Sequence, residues 1–596
     1  MFTPRIRGAG HFRIQYASMN PGDVILYDAA QSLWLRFEHP IAVIQVHQLD
    51  EVLPTLRQVE KRLSQEQLYA VGFISYEAAP AFDPAYRVRP ADPDFPLLWF
   101  GLYPHATPFD LDASPWPSYH IGEWTPSVSR QQYNQAIASI KEAIARGETY
   151  QVNYTLRLHA PFSGDAWGLF RQIAHTQRAR YAAYLDLGRF IVCSASPELF
   201  FTRKDDRLSC RPMKGTAGRG LLLEDDQAQA EWLYHSEKNR AENVMIVDMI
   251  RNDLGRIAEI GSVQTTRLFE VERYPTVWQM TSTVEARSRA NLSEIMRALF
   301  PCASITGAPK VRTTHFIAEL ETTPRRIYTG CIGFVSPQRR AQFNVAIRSV
   351  LLDRQSGVAE YGVGGGIVWD STSAEEYEEC QIKARLLTQP QPEFCLLETL
   401  LWTPQMGYFL LEEHLHRLSA SAEYFVFPLQ RKIIEQRLDE TAAALPPLAH
   451  KVRLLLNQHG EVTCQAAPLD RSAHEPARLK LAAQPVSSRN IFLYHKTTHR
   501  QVYEQARAAC GDCSDVLLWN EHGELTESDT ANLVVRLDGR LVTPPVSCGL
   551  LPGVFRQWLL DRGEIEEQIV RLEDLSRCEE IYLINSVRKW RRALLV

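Results

Sequence analysis

The chain has 596 residues, 45% of them hydrophobic, with 65 Lys and Arg against 70 Asp and Glu and a formal net charge of −5. This ordinary globular composition argues against a disordered, collagen-like or coiled-coil chain, and the absence of a basic excess argues against a nucleic-acid partner. No apolar run reaches the ~18 residues of a membrane span, and residues 1–15 contain no apolar segment of a secretory signal, so we expect a cytoplasmic protein without membrane contact.

Residues 1–388 show helix and strand patterns in alternation. Ser127 or Ser129 can cap a helix that ends near Gly147, and residues 150–156 then alternate as a strand does. The apolar spacing predicts two further helices, over residues 237–254 and 373–387. The acidic start of the second of these suits the helix dipole.

Several short segments in this part have compositions that suit a binding site. Lys214 is predicted in a tight turn, and Pro309 is predicted at the start of a helix. Residues 361–370 are rich in glycine, which lets a backbone approach a ligand closely. A dinucleotide-binding loop is disfavoured there, because residues 367–369 have the composition of a strand where a helix should begin.

The acidic helix carries three charged residues on one face. Glu376 and Glu379 are three residues apart, and Lys383 follows four residues later. One interpretation is a solvated surface with a salt bridge. The other is a pair of oxygen ligands for Mg²⁺ beside a cation that binds an anionic substrate. Glu242 is either a third ligand or a simple charge near the start of a helix.

The polar, proline-containing residues 389–393 follow this helix and predict a short, stiff linker. We therefore predict two domains, residues 1–388 and 394–596, each long enough to bury its own core. In the second domain the pattern predicts a strand over 491–494. It also predicts a helix over 500–506 and a strand that begins at Asn532.

The motifs of the first domain, taken in order, resemble those of the chorismate-utilising enzymes over residues 120–387. The matching stretches are 150–153, 196–200, 212–216, 240–254, 306–310, 346–348 and the glycine-rich segment with its Glu-x-x-Glu helix. The resemblance implies an α+β fold of large antiparallel sheets with helices.

Two positions distinguish the members of this family. Isochorismate and salicylate synthases have a lysine where this chain has Gln151, and anthranilate synthases have an alanine where it has Lys214. This pair of residues resembles aminodeoxychorismate synthase component I and implies that ammonia is the nucleophile delivered to chorismate. An anthranilate synthase with an appended aminotransferase is the alternative.

The resemblance also implies roles for individual residues. Lys214 would attack C2 of chorismate, and Glu198 would protonate the departing C4 hydroxyl. Mg²⁺ would be bound by Glu242, Glu376 and Glu379. Substrate would be contacted by Gln151, Thr216, Thr306, Tyr328, Arg348, Gly364, Gly366 and Lys383. The chain departs from the family at Asn239, where an acid is usual, and at Gln279, where a histidine is frequent.

The motifs of the second domain resemble the class IV aminotransferase fold, which depends on pyridoxal phosphate. The resemblance rests on residues 397–400, 413–418, 495–498, 524–532 and 551–556. It implies that Lys496 bonds the cofactor aldehyde and that Glu527 faces the pyridine nitrogen. The phosphate would be held by Arg417, Gly553 and Val554. The usual first strand is missing, and His499 replaces a common asparagine.

The two resemblances imply consecutive reactions: chorismate to aminodeoxychorismate, then to p-aminobenzoate and pyruvate. The alternative for the second domain is an interaction module without catalysis. Because the chain has no Gly-x-Cys-x-Gly nucleophile motif, we expect ammonia from solution or from a separate glutamine amidotransferase subunit.

Overall fold

The structure, a computed structural model, describes residues 19–111, 117–388, 392–469, 476–511 and 513–596. The chain forms two compact units. Of the described residues, the first unit contains 19–218 and 231–388, and the second contains Arg219–Ala230 and 392–596. The N-terminal stretch 1–15 and residues 389–391 of the predicted linker lie outside the described residues.

The described part of the first unit contains two antiparallel sheets and nine helices. The strands are β1 Val24–Asp28, β2 Leu33–Phe37, β3 Ala42–Val46, β4 Tyr69–Ile74, β5 Leu98–Tyr103, β6 Thr107–Phe109, β7 Tyr119–Ile121, β8 Thr125–Pro126, β9 Gln151–Gly164, β10 Tyr181–Asp186, β11 Phe190–Ser196, β12 Leu199–Lys204, β13 Arg207–Arg211, β14 Met213–Gly218, β15 Gln264–Arg273, β16 Val277–Arg287, β17 Gly307–Ala308, β18 Cys331–Val335, β19 Ala341–Val345, β20 Ser349–Asp353 and β21 Val358–Ile367. The helices are α1 Leu49–Glu66, α2 Ala79–Phe82, α3 Arg130–Ala145, α4 Ala166–Gln177, α5 Leu223–His235, of which residues 223–230 belong to the second unit, α6 Glu237–Gly255, α7 Leu292–Leu299, α8 Lys310–Leu320 and α9 Ser373–Thr388.

The order of strands brings distant segments together. One sheet runs β17-β9-β21-β20-β11-β10-β1-β2-β6, with β7 and β8 also paired to β9, and the other runs β14-β16-β13-β12-β19-β18-β4-β5-β3, with β15 also paired to β16. Apolar side chains of both sheets and of α1, α3, α4, α6 and α7 form one buried core. The long pairing of β9 with β21 sets the glycine-rich segment beside residues 152–158.

The sequence predictions for this unit are confirmed at its helices and wrong at the segment around Lys214. Helix α3 is capped by Ser129 in a capping box with Gln132, and α6, α8 and α9 begin where expected. Lys214, however, lies in strand β14 and not in a tight turn. The glycine-rich segment is also mostly strand, because β21 continues to Ile367.

The described part of the second unit has two sheets and four more helices. Its strands are β22 Leu396–Thr403, β23 Gly407–Tyr408, β24 His450–Leu456, β25 Val462–Pro468, β26 Ala477–Leu481, β27 Asp515–Trp519, β28 Leu525–Ser528, β29 Asn532–Leu537, β30 Arg540–Thr543, β31 Glu566–Glu567, β32 Glu580–Asn585 and β33 Lys589–Leu595, and its helices are α10 Leu411–Phe425, α11 Arg431–Ala443, α12 Gln501–Cys510 and α13 Val554–Asp561. The sheets run β23-β22-β24-β25 and β28-β27-β26-β33-β32-β29-β30-β31. The predicted helix at 500–506 and strand at Asn532 are confirmed. The strand predicted over 491–494 is wrong, since Ile491–Leu493 forms a 3₁₀ turn.

The segment Arg219–Ala230 is an integral part of the second unit. The Tyr424 hydroxyl donates to the carbonyl of Gly220 over 2.8 Å. Leu221 and Leu222 pack against the buried cluster that contains Val516. The second unit is therefore assembled from two separate stretches of chain. Within the described ranges, no helix is both long and apolar enough to cross a membrane.

Candidate active sites

The glycines of β21 leave room for polar side chains in the first unit. A Cβ placed on Gly366 would lie 2.3 Å from Nε2 of Gln151 and 3.2 Å from Nζ of Lys214. A Cβ on Gly365 would lie 2.7 Å from Oε2 of Glu376. Any larger residue at these positions would displace the polar groups, so the strand is glycine-rich because functional side chains approach its backbone.

Lys214 and Gln151 lie together beside Gly366. Gln151 is only 1% exposed, and both polar atoms of its amide are buried without a hydrogen-bond partner among the described residues. Burial lowers the pKa of the Lys214 amine, although Glu242 and Glu198 act in the opposite direction. The pocket thus contains an amine biased toward its neutral, nucleophilic form and an amide with unused donors and acceptors.

Glu198 is the acid of this pocket. It is 3% exposed, and the hydroxyl of Ser304 donates to its Oε1 over 2.6 Å. Burial raises the pKa of Glu198 to about 7, while the Ser304 hydrogen bond and the charge of Lys214 lower it. A carboxyl group with this pKa holds a proton near neutral pH and can transfer it to a leaving group.

Three carboxylates and Lys383 lie on the helices around the glycines. Lys383 Nζ donates to the carbonyl of Gly364 over 2.7 Å and pairs with Glu379 at 2.5 Å. Burial raises the pKa of Glu242 and of Glu376, and repulsion from Glu379 adds to both increases. For Glu379, burial is outweighed by Lys383, so its pKa is lowered.

Lys496 and Glu527 form the centre of the second unit's site. Burial, together with the charge of Arg417, lowers the pKa of Lys496 to about 8. Glu527 accepts hydrogen bonds from the Tyr503 hydroxyl at 2.7 Å and from the Asn532 amide at 3.0 Å. Burial raises the pKa of Glu527 to about 7.

The guanidinium of Arg417, a residue of helix α10, lies beside the start of helix α13. Its Nη1 donates to the carbonyl of Pro552 over 3.1 Å, and its Nε and Nη2 both bind the carboxylate of Glu398. A Cβ on Gly553, the residue before this helix, would lie 1.8 Å from Oδ1 of Asn532, so a larger residue there would displace the Asn532 amide. A fixed guanidinium beside a helix N-terminus is suited to bind a phosphate group.

Comparison with known proteins gives two consecutive family matches. Residues 114–389 match the chorismate binding enzyme family, and residues 395–596 match amino-transferase class IV. The chain joins a chorismate binding enzyme domain to an amino-transferase class IV domain. The α+β fold expected for each half is therefore confirmed.

Named relatives match the chorismate binding enzyme domain. Aminodeoxychorismate synthase component 1 of Klebsiella aerogenes is 40% identical over 48% of this chain and 62% of its own length. The protein of the same name from Escherichia coli K12 is 40% identical over 45% of this chain and 59% of its own. The chain thus spans about three fifths of these relatives. Anthranilate synthase component I of Streptococcus pneumoniae TIGR4 shares the fold, with a TM-score of 0.51 and 24% identity over 64% of this chain and 96% of that one.

The structure brings part of the predicted chorismate site together. Gln151, Lys214 and Gly366 are neighbours, and Gly364 is bound to Lys383. Arg348 approaches helix α9 through a 3.3 Å hydrogen bond that its Nη1 donates to the carbonyl of Lys383.

Three other predicted substrate contacts have different surroundings. The hydroxyl of Thr306 donates to the carbonyl of Cys302, and that of Thr216 donates to Gln279. The ring of Tyr328 lies beneath the Arg157 guanidinium, 4.9 Å away, and fills the space above Gly362. The contacts of these three residues to substrate remain predictions.

The predicted Mg²⁺ ligands have suitable chemistry but not a preformed geometry. Glu242, Glu376 and Glu379 offer hard oxygen donors, and their mutual repulsion favours a cation among them. Glu376, however, accepts a hydrogen bond from Ser371, and Glu379 is paired with Lys383. Over the described ranges, no three acidic, histidine or cysteine side chains are close enough together to hold a metal.

Pyridoxal phosphate fits the second site better. The donor set comprises a buried amine with a lowered pKa, a carboxyl for the ring nitrogen and a guanidinium beside a helix start. The Nε2 atom of His414, in the same cluster as Glu398, is buried without a partner among the described residues.

Sequence reasoning missed the residues that orient these groups. Ser304 orients Glu198, whereas Tyr503 and Asn532 orient Glu527 and Glu398 orients Arg417. Tyr503 is seven residues after Lys496 on a helix, which is a weak signal. Ser304 had no signal, because only the fold brings it close to Glu198.

Proposed function

We propose that the first unit aminates chorismate at C4 with ammonia and that the second unit converts the product to p-aminobenzoate and pyruvate. The observation that carries the proposal is Lys214 Nζ beside the free amide of Gln151 in a pocket opened by Gly366. The names of the relatives support the first reaction, and the class IV domain supports a second reaction on the same chain.

In the proposed amination, Lys214 and Glu198 act as nucleophile and acid. The neutral amine forms a bond to C2 of chorismate while the C4–O bond breaks, and the leaving hydroxyl takes the Glu198 proton and departs as water. Ammonia then bonds to C4, the C2–N bond breaks and releases Lys214 as its neutral amine, and the new C4 ammonium group returns a proton to Glu198. The sum is chorismate and ammonia to aminodeoxychorismate and water.

Gln151 is suited to bind ammonia. Its buried amide oxygen can accept an N–H, whereas a lysine at this position would be a base for water. A neutral amide does not remove a proton from water, so attack of water on chorismate is disfavoured. This contrast supports amination over hydration of chorismate.

In this proposal Glu242, Glu376 and Glu379 would hold Mg²⁺, which would offset the negative charge of the substrate. Lys383, paired with Glu379 in this structure, would contact a substrate carboxylate.

In the second unit, Lys496 would bond pyridoxal phosphate, Glu527 would face its ring nitrogen, and Arg417 with Gly553–Val554 would hold its phosphate. When bound, the cofactor supplies an electron sink for a carbanion next to the amine nitrogen. Lys496 would remove the C4 proton of aminodeoxychorismate. The C3–O bond then breaks, the ring becomes aromatic, and enolpyruvate gains a proton on carbon to give pyruvate.

The source of ammonia is proposed to be a separate glutamine amidotransferase subunit. The name "component 1" of these relatives supports a second component. We therefore expect turnover with ammonium salts and none with glutamine alone. Glutamine-supported turnover by the purified chain would contradict this expectation.

Product analysis tests the whole proposal. The purified chain is incubated with chorismate, ammonium and Mg²⁺, with and without pyridoxal phosphate, and the products are separated by chromatography. We expect p-aminobenzoate and pyruvate with the cofactor. Anthranilate would favour the anthranilate synthase alternative, and aminodeoxychorismate that persists with the cofactor would favour an interaction module.

A matched pair of lysine variants controls for general damage. Lys214→Ala removes the proposed nucleophile, and Lys204→Ala removes an exposed lysine from strand β12 of the same sheet. Only the first change should stop formation of aminodeoxychorismate.

A further inference from the structure

Strand β14 bulges at Lys214. Its pairing with β16 runs from Met213 opposite Thr281 to Thr216 opposite Gln279, so Lys214 and Gly215 together face one residue of the partner strand. Gly215 has a φ of +96°, a conformation that other residues rarely adopt. The bulge interrupts the regular ladder at the proposed nucleophile.

Two side-chain amides bind the carbonyl groups of this bulge. Asn243 Nδ2 donates to the carbonyl of Lys214 over 3.2 Å, and Gln279 Nε2 donates to the carbonyl of Gly215 over 2.7 Å. Gln279 Oε1 also accepts from the hydroxyl of Thr216 at 3.1 Å. The three consecutive residues 214–216 are thus each held by a side-chain amide.

The first of these amides is itself fixed. Asn243 is 1% exposed, and its Oδ1 accepts a hydrogen bond from the buried hydroxyl of Ser282 at 2.5 Å. The hydroxyl oxygen of Ser282 in turn accepts a hydrogen bond from the backbone N–H of Phe269 at 3.1 Å. The donor that faces Lys214 therefore cannot rotate away without breaking a buried network.

We propose that Gln279 and Asn243 are positioning residues that hold the Lys214 bulge in the geometry for attack on chorismate. The role rests on the proposed function of Lys214. Neither amide titrates, so Gln279 acts here by donating a hydrogen bond and not by transferring a proton. A nucleophile displaced by about 1 Å loses roughly a hundredfold in rate, so backbone hydrogen bonds at this bulge are catalytically important.

The test compares three substitutions of Gln279. Gln279→Ala removes the donor, and Gln279→Glu keeps the shape but presents a carboxylate oxygen to the Gly215 carbonyl. Gln279→His supplies a ring N–H that can restore the donor. Gln264→Ala, an exposed glutamine on the adjacent strand β15, is the control.

Two readouts are needed for each variant. Steady-state amination with ammonium should show kcat reduced about 10- to 100-fold in Gln279→Ala and Gln279→Glu, with KM for chorismate changed less than threefold and partial rescue in Gln279→His. Hydrogen–deuterium exchange should become at least tenfold faster in residues 213–218 and stay unchanged in β9. Asn243→Ala should act in the same direction.

The outcomes separate this role from the function on which it rests. Unchanged kcat in Gln279→Glu would overturn the positioning role, whether or not the bulge loosens. Faster exchange throughout the first unit would also overturn it, because the residue would then be needed for folding in general. If the unaltered chain does not aminate chorismate, the proposed function fails and the catalytic role fails with it, while the exchange data still show whether Gln279 holds the bulge.

Discussion

The negative charge of Glu398 should stabilise the second unit by about 3 kcal/mol at neutral pH. Burial alone would raise its pKa, but Arg417 and His414 outweigh burial and lower the pKa from 4.5 to about 2. At about 1.4 kcal/mol per pKa unit, this shift corresponds to roughly 3 kcal/mol. Because the pKa is lowered in the folded state, the stabilisation is complete above pH 4.5 and is lost as the pH falls through about 2.

The variant Glu398→Gln preserves the shape of the side chain but removes its charge. The positive charge of Arg417 then lacks its negative partner in a buried site, since Glu398 is only 1% exposed. Since two-unit chains need not unfold in one step, exchange of the amides of β22 and β24 is the suitable measurement. At pH 7 we expect their exchange to accelerate roughly a hundredfold, with a smaller difference near pH 3.

An exposed pair provides the control for this prediction. Glu412→Gln removes a partner of Arg431 from the surface, where such pairs are worth about 0–1 kcal/mol. Amide exchange in Glu412→Gln should differ from that of the unaltered chain by less than about fivefold. An acceleration below tenfold in Glu398→Gln at pH 7, or a difference that does not shrink on acidification, would refute the argument from the paired charge.

Four further outcomes follow from the sites. Lys214→Ala should abolish C4 amination or redirect it to C2, and unchanged aminodeoxychorismate by chromatography would exclude the covalent route. Because Glu198 must donate a proton and its pKa is about 7, kcat/KM should fall above about pH 7, and Glu198→Gln should lower kcat by roughly 10²–10⁴-fold. Amination should require Mg²⁺ and be lost in Glu379→Gln, whereas full activity in excess chelator would contradict a metal role. Lys496→Ala should lose the absorbance of bound pyridoxal phosphate and release aminodeoxychorismate unchanged; an undiminished yield of p-aminobenzoate would argue against Lys496.

Local signals predicted the helices of the first unit well. Helix α3 begins at Ser129 because a serine and a glutamine three residues apart satisfy each other's backbone groups, which is a property of adjacent residues. The same applies to α9, whose acidic first turn was evident from the sequence.

Long-range pairing explains the errors. The bulge at Lys214 exists because β14 pairs with β16, more than sixty residues away, so its sequence alone suggested a turn. The composition of residues 361–370 indicated close approach to the backbone, but only the pairing of β21 shows that Gln151 and Glu376 are the side chains that approach these glycines. The juxtaposition of Lys214 with Gln151 was implied by family resemblance and not by spacing, while Asn243 offered no local signal.

The second unit's use of Arg219–Ala230 affects how the protein can be divided. A fragment that starts after the linker would lack Leu221 and Leu222, which pack against its buried cluster, and would expose that apolar surface. A protease cut between residues 388 and 394 would leave pieces still held by Arg219, whose Nη2 donates to the carbonyl of Tyr424 over 2.9 Å. The second unit therefore uses two separate stretches of chain, and exchanging it for another domain would require three new junctions: before Arg219, after Ala230 and in the linker.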